Sequence, residues 1–233
     1  FGVLHKWKIM YSKATMKQRI LLRGEPGLEL LHRISSADIT GLAEDRKIPG
    51  LILNPAGRIV SFFEATRKDS RSLEIEFEDD FLKHLDHYTF SERYEIETLS
   101  PPSAEALPEI ERIRALCPKE GCEFKPDGTV NPLEVNLRSA IADQKGCYPG
   151  QEVIEKIISL GSPAKKLCLV RNLSGATDPV LPASVTDGDG AEAGVLTSAS
   201  SGEGLAILKR THCKPGQRIM IAGLEWLVEK VAE

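Results

Sequence analysis

The texture of the chain changes at Gly161-Ser162-Pro163, and that change does most to limit the fold. Beyond it lie six short β-prone stretches: Lys166–Val170, Val180–Val185, Ala193–Thr197, Leu205–Leu208, Arg218–Ile221 and Leu224–Val231. Gly, Asp and Ser separate them, and Ala222-Gly223 suits the turn of a last hairpin. Six short strands at close spacing predict a small β-barrel over 161–233.

The first 160 residues read differently. Gln18–Leu22 is a short apolar strand, and Gly24-Glu25-Pro26-Gly27 turns the chain. Leu28, Leu30, Leu31 and Ile34 then recur at helical spacing, which predicts a helix over Pro26–Arg33. Ile48–Leu53 and Arg58–Thr66 flank the turn sequence Asn54-Pro55-Ala56-Gly57 and predict a hairpin. In Ser72–Glu78, Leu73, Ile75 and Phe77 share one face and carboxylates the other, the pattern of a half-buried strand. Asp79 or Asp80 can cap a helix striped by Phe81, Leu82, Leu85 and Tyr88, and Tyr94–Leu99 returns as a strand. Pro101-Pro102-Ser103 marks a break. A helix over Leu107–Cys117 ends at Pro118, Cys122–Asn131 reads as a loop, and Leu137 and Ile141 predict a helix over Leu133–Ala142. Gln151–Ile158 opens another helix, with Glu152 in its first turn. The expected class is α+β, with two interleaved subdomains in 1–160 and about 68–100 as one strand–helix–strand portion.

The formal charge of −4, without an acidic or basic block, gives no footprint of a nucleic-acid partner. No apolar run is long enough to span a bilayer, so no membrane partner is expected either. Phe1–Lys8 shows no signal-peptide pattern. Five cysteines, an odd number in a chain of 233 residues, favour reduced thiols in a cytosol-like compartment. Cys117 and Cys122 have no second pair, and His84 and His87 read as helix surface, so no stably bound metal or cluster is expected. Cys168 and Cys213 read as packing residues of the barrel.

The densest chemistry lies in Lys145-Gly146-Cys147-Tyr148-Pro149-Gly150-Gln151-Glu152. Gly146 and Gly150 bracket the thiol and permit a tight or positive-φ backbone. A cysteine just ahead of a helix, with Lys145 close by, is placed to favour the thiolate. Gln151 and Glu152 offer amide and carboxylate contacts to a ligand or to the loop itself, and Tyr148 offers a ring and a hydroxyl.

This block resembles the signature of the YgfZ-type folate-binding proteins, relatives of the aminomethyltransferase T-protein of glycine cleavage. Further segments are similar to that superfamily: Ile34–Leu42 with Asp38, Leu53-Asn54-Pro55-Ala56-Gly57-Arg58, Asn131-Pro132-Leu133-Glu134, and Gly194-Val195-Leu196-Thr197-Ser198-Ala199. The resemblance implies a ring of α+β subdomains around a folate-sized hole, followed by a barrel. It implies binding of tetrahydrofolate or a derivative and support for the assembly or repair of iron–sulfur enzymes. Cys147 would be the functional thiol, with Lys145, Gly146, Tyr148, Gly150, Gln151 and Glu152 around it. Asp38, Arg58, Arg114, Glu134 and Tyr148 would bind the cofactor, the arginines pairing with its glutamate tail. Its partners would be folate and iron–sulfur client proteins or assembly factors. The protein is expected to be a cytoplasmic monomer, placed in the mitochondrial matrix if the source is eukaryotic.

Two departures oppose one-carbon transfer. Ser61 or Phe62 stands where the transferases carry an Asp, and Arg114 stands where they carry a pterin-binding Glu. A motif Arg found after the block in many relatives is replaced by Glu155-Lys156. The primary reading is therefore an accessory protein rather than a classical aminomethyltransferase. A folate-dependent aminomethyltransferase or demethylase and a ligand-free scaffold are the alternatives.

Overall fold

The computed structural model describes residues 17–78, 80–101, 107–175 and 178–232. The Phe1–Lys8 start, Asp79, Pro102 and Ser103 lie outside them. The fold is mixed α/β, with a five-stranded sheet and a closed six-stranded barrel.

β1 (Gln18–Arg23) enters the sheet and α1 (Glu25–Ile34) follows, with Pro26 in its first turn. β2 (Lys47–Leu53) and β3 (Ile59–Asp69) form the expected hairpin. β4 (Ser72–Phe77), α2 (Phe81–Tyr88) and β5 (Glu95–Leu99) complete the layer. All the pairings are antiparallel, in the order β2-β3-β4-β1-β5.

The period-2 pattern decides what each face of the sheet meets. Ile20, Leu22, Phe63, Ala65, Leu73, Ile75 and Phe77 pack beneath Leu28, Leu31 and Ile34 of α1 and Phe81 and Leu85 of α2. The Phe81 ring lies 5.2 Å from that of Phe63 and 5.0 Å from that of Phe77. On the opposite face Glu64 and Glu76 share Lys17 and Lys47, at 2.6 to 3.0 Å.

The barrel runs β10 (Arg218–Ile221), β11 (Leu224–Val231), β6 (Lys165–Asn172), β9 (Glu203–Lys209), β8 (Glu192–Ser200), β7 (Ala183–Thr186). It closes where Met220 and Ile221 pair with Thr186 and Val185. Trp226, Val170, Val228, Leu196, Leu208 and Ile219 fill its interior. Glycine at 194 permits close strand packing, since a Cβ there would fall 2.2 Å from the Ile207 carbonyl oxygen.

Four local expectations are corrected. Leu133–Ala142 is two short 3₁₀ turns, Pro132–Val135 and Arg138–Ala140, interrupted by Asn136 at φ 63°. The helix expected over Leu107–Cys117 is the shorter α3 (Glu109–Arg114), and Leu116 takes a positive φ just beyond it. Asp80 precedes α2 but makes no side-chain cap, because its carboxylate is drawn to Lys83 at 2.6 Å. The strand expected over Val180–Val185 begins only at Ala183, after Pro182, which has no N–H to pair.

One buried polar cluster ties α3 and the following loop to the barrel. The Arg112 guanidinium donates to both carboxylate oxygens of Glu109, to the Cys117 carbonyl, to Glu123 at 2.9 Å and to Ser198 at 2.6 Å. Glu123, only 2% exposed, also accepts from the Lys119 amide and from the Thr197 and Ser198 hydroxyls. Breaking a buried ion pair from one side strands the other charge. Glu123→Ala is expected to cost about 3–5 kcal/mol by urea denaturation, and Glu109→Ala, which removes a half-exposed partner, far less.

Candidate functional site: the Cys147 loop and its flanking cavities

The loop that carries Cys147 is held at both ends and open in the middle. At its start, Lys145 folds back onto the C-terminal end of α1. Its ammonium donates to the carbonyls of His32 and Ser35, two of the acceptors that a helix leaves unpaired at its end. His32 reciprocates through Nε2, 3.1 Å from the Lys145 carbonyl oxygen, and its Nδ1 lies 3.5 Å from Asp38. Burial lowers the Lys145 pKa to about 8, and burial with the Lys145 charge lowers that of His32.

At its other end the loop is fixed by Tyr148 and Gly150. Tyr148 is buried with Leu51, Leu53, Ile59 and Phe124, and burial pushes its phenol up to about 12. Lys145 Nζ lies 5.2 Å from the centre of its ring, within cation–π range. Gly150 begins α4 (Gln151–Ser159) at φ 78°. A Cβ there would sit 2.5 Å from the Asn54 carbonyl oxygen and 3.0 Å from the Gly57 Cα, so backbone packs directly on the β2–β3 turn. Between these anchors Gly146, at φ 97°, has open space around it and Cys147 is exposed. Gln151 donates to Glu155 at 2.5 Å within α4, and Glu152 stands exposed in the first turn.

Two cavities are lined by segments that flank the loop in sequence. One, of about 330 Å³, is lined by Asp38, Arg46, Pro49, Ser139 and Ala142. Asp38 also closes the local turn, accepting from the Gly41 amide at 3.0 Å. The other, of about 600 Å³, lies between the β2–β3 turn, α4 and the barrel. Its walls are apolar along Ala56, Val153, Ile157, Leu160 and Pro163, and cationic at Arg58, Lys209 and Arg210. Arg58 Nη1 is 3.6 Å from Glu134, a loose pair, and Arg210 has no ion-pair partner among the described residues. Asn131 fixes this wall, donating to the Gly57 carbonyl at 3.2 Å and accepting from the Leu133 amide at 2.9 Å.

The residues expected to bind a cofactor are therefore not gathered in one place. Arg58 and Glu134 share the larger cavity, and Asp38 lines the smaller. Arg114 lies in neither; its guanidinium forks onto Glu203 of the barrel through two contacts of 2.8 Å. Tyr148 has its ring in the core rather than over a ligand. Lys145 spends its ammonium on α1 rather than on the thiol. Cys147 is open to solvent but is part of neither cavity wall. Lys209 and Arg210 gave no sequence signal: they are distant from Arg58 in the chain, and the fold brings all three to one cavity, where the Lys209 ammonium is held by the Glu192 carbonyl at 2.8 Å. At the transferase Asp position, Ser61 is buried and the Phe62 ring packs on Phe124 at 5.7 Å.

Comparison with known proteins supports a mixed α/β, T-protein-like fold with its closed barrel. The crystal structure of glycine cleavage system aminomethyltransferase T from Bartonella henselae superposes with a TM-score of 0.76. The superposition covers 93% of this chain and 83% of that one, at 13% sequence identity. A protein of Arabidopsis thaliana named "Putative transferase, chloroplastic" is 29% identical over 117 residues. That match takes in 48% of this chain and only 26% of the Arabidopsis protein's length. No family model matches the chain. Among the described residues no group of three or more His, Cys, Asp or Glu is placed to hold a metal ion. No described helix is long and apolar enough to cross a membrane.

Two predictions test this geometry. Gly150→Ala meets both a positive φ, worth about 1–3 kcal/mol, and a backbone clash, whereas Gly146→Ala meets the φ cost alone. Thermal melts should show the larger loss at 150. The second concerns Lys145. A lysine whose pKa falls on folding leaves the unfolded chain with more bound protons between the two values, so stability rises with pH in that window. Between pH about 8 and the ordinary lysine range, wild type should gain stability relative to Lys145→Met, read as the difference of urea midpoints across a pH series.

Proposed function

We propose that this protein is a folate-binding accessory protein of the YgfZ type, which supports the assembly or repair of iron–sulfur enzymes through Cys147. The observation that carries this reading is the presentation of the thiol. It is exposed at the crest of a loop whose flanking residues are locked into the core, where a structural cysteine would ordinarily be buried.

The larger cavity supports the folate part. Its volume of about 600 Å³ falls within the usual range for small-ligand sites, roughly 300–1,000 Å³. An apolar wall opposite Arg58, Lys209 and Arg210 suits a flat ring system with an anionic tail. In this reading the sheet region, the Cys147 loop and the barrel close around the ligand as a ring. The thiol and the ligand are joined through one element, because α4 begins at the Cys147 loop and walls the cavity with Val153 and Ile157. Clients would meet the exposed sulfur, which serves as a redox thiol, a transient cluster ligand or a partner in thiol exchange.

The transferase reading needs an acid to orient the amine and another to read the pterin. The larger cavity offers Glu134, already facing Arg58, so this reading ranks second.

Folinic acid titrated into the protein should bind and raise its melting temperature; a hundredfold excess over Kd adds about 2.7 kcal/mol. Arg58→Ala should weaken binding tenfold or more, the loss of a charge-assisted contact of about 1.5–3 kcal/mol. No heat and no thermal shift would refute the folate assignment. In cells, Cys147→Ala should lower the activity of iron–sulfur enzymes and spare a cluster-free control. Equal activities would remove the thiol from the mechanism.

A further inference from the structure

Cys168 and Cys213 meet inside the barrel although the chain separates them by most of its strands. Cys168 lies on β6, opposite Ala206 of β9, with its side chain fully buried in the barrel core. Cys213 follows the 3₁₀ turn Arg210–His212, which begins at the end of β9. That turn folds residue 213 back, so that its sulfur lies 3.3 Å from both the Leu208 and Lys209 carbonyl oxygens and packs against the Cys168 cluster. Cys168 Sγ lies 3.6 Å from the Lys166 carbonyl oxygen, and Cys213 packs against the same buried cluster, near enough for each thiol to shift the other's titration. Cys213 is partly exposed, so one sulfur of the pair reaches solvent and the other does not.

We propose that Cys168 and Cys213 are a reversible thiol–disulfide site, closed by hydrogen peroxide and reopened by a dithiol, which locks the Arg210–His212 turn to β6. Cys213 is the attacking sulfur. The hydrogen bond to Cys213, together with burial, pushes the Cys168 thiol well above the ordinary range, and the same contact lowers Cys213. The Cys213 sulfur takes an oxygen from peroxide as the O–O bond breaks, giving a sulfenic acid and water. The Cys168 sulfur then forms the S–S bond as the S–O bond breaks, and the departing hydroxide leaves as water with the Cys168 proton. Two thiols lose two electrons, and one peroxide becomes two waters. A disulfide needs its Cβ atoms about 3.5–4.5 Å apart, and the turn after β9, which packs Cys213 against the Cys168 cluster, is the element that would adjust to reach that.

The site would also act on the larger cavity. Lys209, Arg210 and Thr211 form its barrel-side wall, so a fixed turn fixes Arg210, one of its three cations, Lys209 being held already by Glu192. This consequence rests on the folate reading; the disulfide itself does not.

Cys117, Cys122 and Cys147 are exposed, so replacing all three with serine leaves only the barrel pair and touches no core packing. This variant, treated with hydrogen peroxide and then denatured with an alkylating reagent, should lose the mass of two hydrogen atoms and take up no label. Digestion without reductant should yield one peptide pair joining Cys168 to Cys213, and dithiothreitol should restore two labelled thiols. Adding Cys213→Ala should abolish the link. Amide exchange at 211–213 should slow in the oxidised form. Two free thiols, a sulfinic acid at Cys213 without a link, or a dimer joined between chains would each overturn the proposal. The same peptide pair must also appear in oxidised wild type, so a folding defect in the serine variant cannot mask the answer. Neither measurement depends on folate binding.

Discussion

The contact of backbone on backbone between Gly150 and the Asn54–Gly57 turn governs the geometry of this molecule's candidate site. No side chain intervenes, because a Cβ at 150 would fall 2.5 Å from the Asn54 carbonyl oxygen, inside van der Waals contact. That contact fixes where α4 begins, and α4 in turn builds the apolar wall of the larger cavity. Upstream, it leaves the chain only a few residues to travel between the Gly150 and Lys145 anchors. Tyr148 turns inward to the core, and Cys147 is left facing solvent. The exposure of the thiol is thus a result of packing on either side of it. Nothing needs to bind the sulfur itself to hold it out.

The second constraint is the Arg112–Glu123 pair, which joins the α3 region to β8 of the barrel. Burying two charges is expensive, and a well-packed apolar replacement would often be as stable. What the pair supplies is direction. All five guanidinium N–H groups have specified acceptors, and Glu123 has specified donors, so only one docking of α3 on the barrel satisfies them all. The larger cavity lies at a junction of sheet, α4 and barrel, and its shape depends on such fixed docking.

Much of this was legible in the sequence, for identifiable reasons. The barrel strands and the β2–β3 hairpin announce themselves through alternation and turn residues, which are local signals. The exposed thiol was legible because glycines on either side of a cysteine at the start of a helix are poor choices for a core. The 132–142 segment was misread because two side chains four apart fit either one α-helix or two 3₁₀ turns, and the left-handed Asn136 between them leaves no periodic trace. The ion pair of Arg114 was not legible for a different reason. Its partner Glu203 is 89 positions away, on a strand whose neighbours are set only when the barrel closes. Likewise nothing local marks Lys209 and Arg210 as sharing a cavity with Arg58, or Cys213 as packing against the Cys168 cluster.

These long-range placements change how the site is understood. From the motif alone, Lys145 is a neighbour of the thiol and a candidate for steadying its charge. In the fold, its ammonium is committed to the carbonyl end of α1, and its displacement would leave the His32 and Ser35 carbonyls without it. A lysine there links the loop to α1, and through His32 to Asp38 on the rim of the smaller cavity. On the other side, Gly150 links the same loop to α4 and the larger cavity. The Cys147 loop therefore contacts supports of both cavities.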